Sequence, residues 1–365
     1  MAIKEVYSPQ FIESLGASIH AVFPTFGVAQ FEHACLGPDW QALKLMERRD
    51  RITVQLHEQL PADFPQAAQI LRQIGPQFTG LAAICLPNYV AMYGLADWQV
   101  AMTTLELLTQ YSSAEFAIRP FLVRYPTATE QQMVTWSQSA QVDVRRLASE
   151  GIRPRLPWGI RLTAYVNDPQ PVMAVLKNLI TDPEVYVQKS VANNLNDISK
   201  DHPNEVIAFA QRYWGQSVQT DWMLKRGLRT LFKQGNRQVL ALLGYRAEVA
   251  EELSQVQLSP AQQITGINTE TTHRYMLQLK STTPQNVYVG YRVHYVRQNK
   301  TDAFKDFFLK RTTLQPGNVL TGEFKVKWRQ LTTRRLYPGI HPIELLVNTE
   351  PVAQVTVDFQ PKQED

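Results

Sequence analysis

Cysteine is nearly missing from this chain: Cys35 and Cys85 are the only two in 365 residues. Neither has a CxxC neighbour or a companion at metal-ligand spacing, which excludes a disulfide framework and points to a reducing cytoplasm. The seven histidines, at positions 20, 33, 57, 202, 273, 294 and 341, show no ligand spacing either, so no metal is expected. Phosphate-binding glycine loops are absent too: there is no Walker A motif, no dinucleotide fingerprint, no HExxH and no GxSxG. No cofactor is therefore expected, and any catalysis must rest on carboxylates and positioning. Long apolar runs are also lacking. Residues 73–96 carry no charge, but Gly75, Pro76, Gln77, Gly80, Pro87, Asn88 and Gly94 interrupt them, so buried helix packing explains them better than a membrane span. The first residues have no apolar signal-peptide core.

What is present describes an ordinary globular protein, 44% hydrophobic and 19% charged, of a length that suggests two domains. Net charge is only +4, but it is unevenly spread. From Glu270 to Arg335 there are 13 Lys/Arg against 4 Asp/Glu, a local excess of +9 that leaves −5 for the rest. Such a concentration attracts polyanions, although a solvated surface explains it as well.

The residues up to 258 read as a helical-repeat domain. Leu43, Met46 and Ile52 through Leu56 recur near helical spacing, and a further helix is expected over 97–111. Ser113 is expected to cap a helix running to Arg124, with Glu115 in its first turn, where acids suit the helix dipole. Thr127 and Glu130 have capping-box spacing, and Asp168-Pro169 and Asp182-Pro183 resemble N-caps followed by proline. Helices expected to start near 140, 183 and 220 are 43 and 37 residues apart, the spacing of HEAT-type helix pairs. In one of them Val187, Val191, Leu195 and Ile198 form a core stripe, while Lys189, Asn193, Asn196, Asp197 and Lys200 form a polar one. In the next, Leu224, Leu228, Leu231 and Phe232 point inward and leave Lys225, Arg226, Arg229 and Lys233 outside. Lysines and arginines on equivalent helices suit a phosphate backbone.

After Leu258 the period changes to two. Val287, Val289, Tyr291, Val293 and Tyr295 alternate with other residues, and further strands are expected over 274–280, 305–313, 320–330, 343–347 and 352–359. Residues 262–361 therefore read as a small antiparallel β-sandwich, immunoglobulin-like in architecture, without its disulfide. The expected fold is mainly α: a HEAT-like helical-repeat superhelix over 1–258 followed by this sandwich.

The stretch 143–158 gathers the most chemistry. Val144, Leu147 and Ala148 give one apolar helical face, Arg146 and Glu150 stand one turn apart, and Gly151 is placed to end the helix in a left-handed conformation. Arg153, Arg155 and Trp158 follow, stiffened by Pro154 and Pro157. Guanidiniums and an aromatic around one carboxylate suit a cationic or phosphate-bearing ligand, whereas an Arg/Glu pair at this spacing is more often a solvated helix pair.

Three stretches, Ser113-Ala-Glu-Phe-Ala-Ile-Arg-Pro-Phe121, Val144 to Trp158 and Ser190 to Pro203, together resemble the AlkC branch of the AlkC/AlkD superfamily of DNA alkylation-repair glycosylases. The resemblance implies a HEAT-like superhelix, in some members with a C-terminal immunoglobulin-like domain. It implies hydrolysis of the N-glycosidic bond of cationic N-alkylated bases, 3-methyladenine, 3-methylcytosine and 1-methyladenine, without a deep pocket for a flipped base. The partner is then double-stranded DNA containing alkylated bases, met by a monomer in a bacterial cytoplasm, nucleoid-associated while acting. Carried over by motif, Glu115 and Glu150 become the catalytic carboxylates, with Asp197 near the same cleft. Trp158 and Arg146 would support that cleft, and Arg153 and Arg155 would contact DNA, joined by Lys189, Asn193, Lys200, Arg226 and Arg229 from the helical faces. Gln188-Lys189 replaces an Arg-Arg pair common in the family, and Asn194 stands where histidine is frequent. The alternative is a non-catalytic HEAT-repeat adaptor that binds DNA or protein.

Overall fold

Apolar residues at helical spacing dominate the first part of the chain, and helices follow. The structure, a computed structural model, describes residues 3–297, 303–330 and 335–360. The chain forms two compact units: Met1–His202 with Tyr213–Gly227, and Pro203–Arg212 with Leu228–Asp365.

In chain order the helices are α1 (Pro9–Val22), α2 (Val28–Cys35), α3 (Leu45–His57), α4 (Phe64–Ile74), α5 (Cys85–Tyr93), α6 (Trp98–Leu108), α7 (Arg119–Arg124), α8 (Pro126–Trp136), α9 (Val142–Gly151), α10 (Thr163–Asn167), α11 (Gln170–Leu179), α12 (Val185–Ile198), α13 (Pro203–Tyr213), α14 (Val218–Gly227), α15 (Arg229–Lys233) and α16 (Arg237–Leu242). Within the first unit α3 packs on α5, α5 on α7, α9 on α12 and α12 on α14, while α4 packs on α6 and α8 on α11. Val187, Val191 and Leu195 of α12 are fully buried between these layers, as their spacing predicts. Polar side chains tie one repeat to the next: Asn178 Nδ2 donates to Ser137 Oγ at 2.8 Å, and the Thr220 hydroxyl to the Ile180 carbonyl at 3.2 Å. Among the described residues no helix is long and apolar enough to cross a membrane.

Several local expectations are corrected. Residues 115–118 form a turn and α7 begins only at Arg119, so Glu115 is not in a helical first turn. Ser113 caps nothing; its hydroxyl accepts from Arg146. Helix α8 opens at Pro126 without a side-chain cap, and Glu130 accepts from the Tyr165 hydroxyl instead of closing a capping box. The expected helix across 220–233 is two helices, α14 and α15, broken where Gly227 packs against Leu195. The two aspartate–proline starts are also displaced: the cap positions of α11 and α12 are Pro169 and Glu184, neither with a side-chain cap, and the aspartates close turns just before the helices. Asp168 accepts from the Gln170 N–H at 3.0 Å and Asp182 from the Glu184 N–H at 2.9 Å.

The second unit is a two-sheet sandwich with short helices. Its strands are β1 (Leu253–Ser259), β2 (Gln262–Thr265), β3 (Thr269–Leu279), β4 (Gln285–His294), β5 (Phe304–Leu314), β6 (Val319–Trp328), β7 (Gly339–Val347) and β8 (Glu350–Phe359). One sheet has the order β1-β3-β6 and the other β2-β8-β7-β4-β5. Pairing is antiparallel except between β2 and β8, which run parallel, so the sandwich is mixed at that edge. Val287, Val289, Tyr291 and Val293 of β4 go inward and meet Leu277, Trp328 and Phe359. This is the alternation read from the sequence. The Tyr288 hydroxyl donates to the Lys233 carbonyl and Asn348 Nδ2 to the Arg246 carbonyl, fastening helical segments to the sandwich.

Candidate active site

Helix α9 sets the site. Its Val144, Leu147 and Ala148 are fully buried, which turns Ser149 and Glu150 toward α12. The Ser190 hydroxyl lies 2.9 Å from Ser149 Oγ and 2.6 Å from Glu150 Oε2, and Asn194 Nδ2 donates to the Ser149 carbonyl at 2.9 Å. Gly151 ends the helix, but not in a left-handed conformation. A Cβ there would lie 2.5 Å from Ile118 Cγ2, so glycine serves close packing. The left-handed residue of this stretch is Trp158, at φ 65°, and it is 67% exposed.

Two arginines bind the carboxylates together. Arg153 Nη1 donates to Glu150 Oε1 at 2.5 Å, and its Nε donates to Asp197 Oδ2 at 2.8 Å. Arg146 Nη1 donates to Glu115 Oε2 at 2.9 Å and to Ser113 Oγ at 2.6 Å, while its Nη2 is 3.8 Å from Glu150 Oε1. The i,i+4 pair read from the sequence is thus the weaker of Arg146's two ion pairs. Glu115, Glu150 and Asp197 are 8%, 6% and 3% exposed, so this is a desolvated cluster and not a solvated helix pair. Burial alone would lower the pKa of both arginines. The carboxylates outweigh it, Glu115 then Glu150 for Arg146 and Glu150 then Asp197 for Arg153, and hold both above the ordinary arginine value. Glu115 also lines a cavity of about 340 Å³ with Ser113, Phe116, Asp143, Arg146 and Tyr186. The Arg146 guanidinium lies 4.9 Å over the Tyr186 ring.

Arg119 is a site residue that the sequence reading missed. It is fully buried and donates from Nη1 to the carbonyls of Gly151 (2.8 Å) and Arg153 (2.9 Å), and from Nε to that of Ile160 (2.8 Å), which also accepts from Nη2. One guanidinium thereby holds both ends of the loop that carries Arg153 and Trp158. Burial first, then the like charge of Arg153, pushes its pKa down to about 10, so it stays charged at neutral pH. No local pattern announces it, because its partners are carbonyls 32 to 41 residues further on.

Comparison with known proteins gives the family of the chain. Residues 81–231 match the family model described as DNA alkylation repair enzyme, and residues 252–361 match that described as the C-terminal Ig-like domain of the uncharacterised protein YhaZ. The chain is 38% identical over 358 residues to the uncharacterized protein YhaZ of Bacillus subtilis (strain 168), covering 98% of this chain and 99% of the relative. It is 35% identical to the Pseudomonas fluorescens alkylpurine DNA glycosylase AlkC, solved bound to DNA containing an abasic site analog, with 99% of both chains covered and a TM-score of 0.78. The chain belongs to the AlkC family of DNA alkylation-repair glycosylases.

The remaining positions expected from the AlkC resemblance fall into distinct settings. Arg153, expected to face DNA, is buried between Glu150 and Asp197, because two carboxylates supply what water otherwise would. Arg155 forms a surface pair with Asp201 at 2.7 and 2.9 Å, and these hydrogen bonds hold the Asp201 carboxyl below the usual carboxylate range. Of the polar stripe on α12, Lys189 and Lys200 are exposed, Asn193 is half-buried, and Asn196 and Asp197 are buried. Lys200 Nζ donates to Asp197 Oδ1 at 3.1 Å. Arg226 is exposed on α14, 5.7 Å over the Trp222 ring, and Arg229 is half-buried at the start of α15.

Proposed function

We propose that this protein hydrolyses the N-glycosidic bond of cationic N-alkylated bases in double-stranded DNA, with 3-methyladenine, 3-methylcytosine and 1-methyladenine as substrates. The observation that carries the reading is the buried group of Glu115, Glu150 and Asp197, drawn together by Arg146 and Arg153 and opening through Glu115 to a cavity. Alkylation at a ring nitrogen makes the base a cation, which departs as a neutral molecule when it takes the electron pair of the C1′–N bond. No general acid is needed. Positive charge then develops on the sugar, and a fixed carboxylate stabilises it strongly where water is excluded. Water adds its oxygen to C1′ and gives up a proton to a carboxylate. A neutral base such as uracil leaves poorly on this route.

Contacts to the phosphates are proposed for the exposed Lys189, Lys200 and Arg226. Further affinity is proposed for the sandwich, where Lys305, Lys310 and Arg311 are exposed on the edge strand β5. Part of the basic excess there is offset by Arg274–Glu323, Arg292–Asp306 and the pairing of Lys325 and Lys327 with Glu270. Lys300, Asp302 and Arg334 of that stretch lie outside the described residues.

The test is to incubate the protein with methylated duplex DNA and to identify the bases released. Release of 3-methyladenine or 3-methylcytosine, with uracil and hypoxanthine retained, supports the reading. Binding without release supports the adaptor, and release of uracil at the same rate contradicts the selectivity.

A further inference from the structure

Core positions of a helix are normally apolar, and two on α12 are not. Val187, Val191 and Leu195 set its buried face, and Ser190 and Asn194 fall on that face at the same helical spacing, 2% and 0% exposed. A buried hydroxyl or amide costs free energy unless it is hydrogen-bonded. Both side chains spend their bonds on the last turn of α9. Asn194 Nδ2 donates to the Ser149 carbonyl at 2.9 Å, while its Oδ1 is buried with no partner among the described residues. Ser190 Oγ lies 2.6 Å from Glu150 Oε2 and 2.9 Å from Ser149 Oγ. It has one hydrogen to give, and the shorter contact is to the charged acceptor, which makes the stronger bond.

Glu150 is thereby gripped at its two oxygens by different means. Oε1 accepts from Arg153 Nη1 at 2.5 Å, with Arg146 Nη2 at 3.8 Å, too far for a hydrogen bond. Among the described residues Ser190 is the one hydrogen-bond donor to Oε2. Without it the carboxylate is held at one oxygen only and is free to turn about its terminal torsion, which has broad wells. A hydroxyl also fixes the group without adding a cation to a cluster that already holds Arg146 and Arg153. A further cation would cancel part of the field that Glu150 sets at the sugar.

We propose that Ser190 is a positioning residue for base excision: its hydroxyl fixes the plane of the Glu150 carboxylate so that the charge meets the cation forming on the sugar. The role rests on the glycosylase reading of the site. It acts on the transition state and leaves ground-state binding of DNA alone.

The test is readable without turnover. Full-length protein is titrated with two duplexes, one carrying a pyrrolidine in place of a deoxyribose, a cation that mimics the charged sugar, and one carrying a neutral tetrahydrofuran there. Single-turnover release of 3-methyladenine and melting temperature are measured on the same samples, for the unmodified protein and for Ser190→Ala. The unmodified protein is expected to prefer the cationic duplex. Ser190→Ala should lose about tenfold to a hundredfold of that preference, as for a hydrogen bond to a charged group, with affinity for the neutral duplex unchanged. Release should slow by a similar factor. A purely structural serine would lower the melting temperature and weaken both duplexes alike, leaving their ratio as it was, and that result overturns the proposal. So does an unmodified protein with no preference for the cationic duplex. If the protein releases no base but Ser190→Ala loses the preference, the proposed activity fails and the positioning of Glu150 is supported. Should Ser190→Ala fail to fold, Ser190→Cys, similar in volume and only a weak donor, is read in its place with the same expectations.

Discussion

Arg153 and Asp197 lie 44 residues apart in sequence and meet at 2.7 Å, both side chains almost wholly buried. Because Arg153 also holds Glu150, this one guanidinium joins the C-terminal end of α9 to α12. Desolvating such charges is expensive, and losing one partner strands the others. Arg153→Met is therefore expected to destabilise the protein by about 3–5 kcal/mol. Combined with Asp197→Asn, the losses should fall short of additive by about 0.5–3 kcal/mol. Urea unfolding of the two single variants and the double variant measures this, and strict additivity would show that the pair is not coupled.

Trp158 combines a left-handed backbone with a largely exposed indole, so nothing in its packing compensates the conformation. A left-handed non-glycine residue costs about 1–2 kcal/mol. Trp158→Gly should leave the melting temperature unchanged or raise it while lowering excision, the expected pattern for strain kept for function. A variant that melts lower and excises normally would assign the indole a structural role.

Much of the fold was legible because it depends on local period. The alternation from Val287 to Val293 placed β4, and the spacing of Val187, Val191 and Leu195 placed the core face of α12. Strands β1 and β2 were not legible. Leu-Ser-Gln-Val-Gln-Leu-Ser and Gln-Gln-Ile-Thr are polar or short, and their pairing with β3 and β8 gives them their form. The site residues Glu115, Glu150 and Asp197 came from motif resemblance, and the structure gathers them around Arg146 and Arg153. The burial of Arg153 could not be read, because its partner Asp197 looked like part of a solvent stripe on α12. Helical spacing says which residues share a face, not which charges from another repeat will neutralise it.

In the sandwich, His273 should make stability depend on pH. Trp328 Nε1 donates to Thr271 Oγ1, which lies 3.0 Å from His273 Nε2, so the buried imidazole is held against the Thr271 hydroxyl. Burial pushes the His273 pKa down to about 4 from 6.5. The unfolded chain therefore takes up a proton near its ordinary value while the folded protein takes it up only near 4. Stability is fully present above pH 6.5 and falls as pH drops toward 4, by roughly 3 kcal/mol for this group. His273→Phe should flatten the fall relative to the unmodified protein in melts between pH 7 and 4. Parallel curves would contradict the assignment.

Glu150 is the centre of the account: it accepts from Arg153 at 2.5 Å and from Ser190 at 2.6 Å, with Arg146 3.8 Å away. Glu150→Gln keeps the shape and one acceptor while removing the charge. The most direct measurement is single-turnover release of 3-methyladenine from duplex DNA by this variant, with DNA affinity and melting temperature taken on the same sample. If carboxylate charge stabilises the cation forming on the sugar, the variant binds DNA and folds but releases base about 10²–10³ times more slowly. Release at the unmodified rate would contradict the account and leave Glu150 as part of the scaffold.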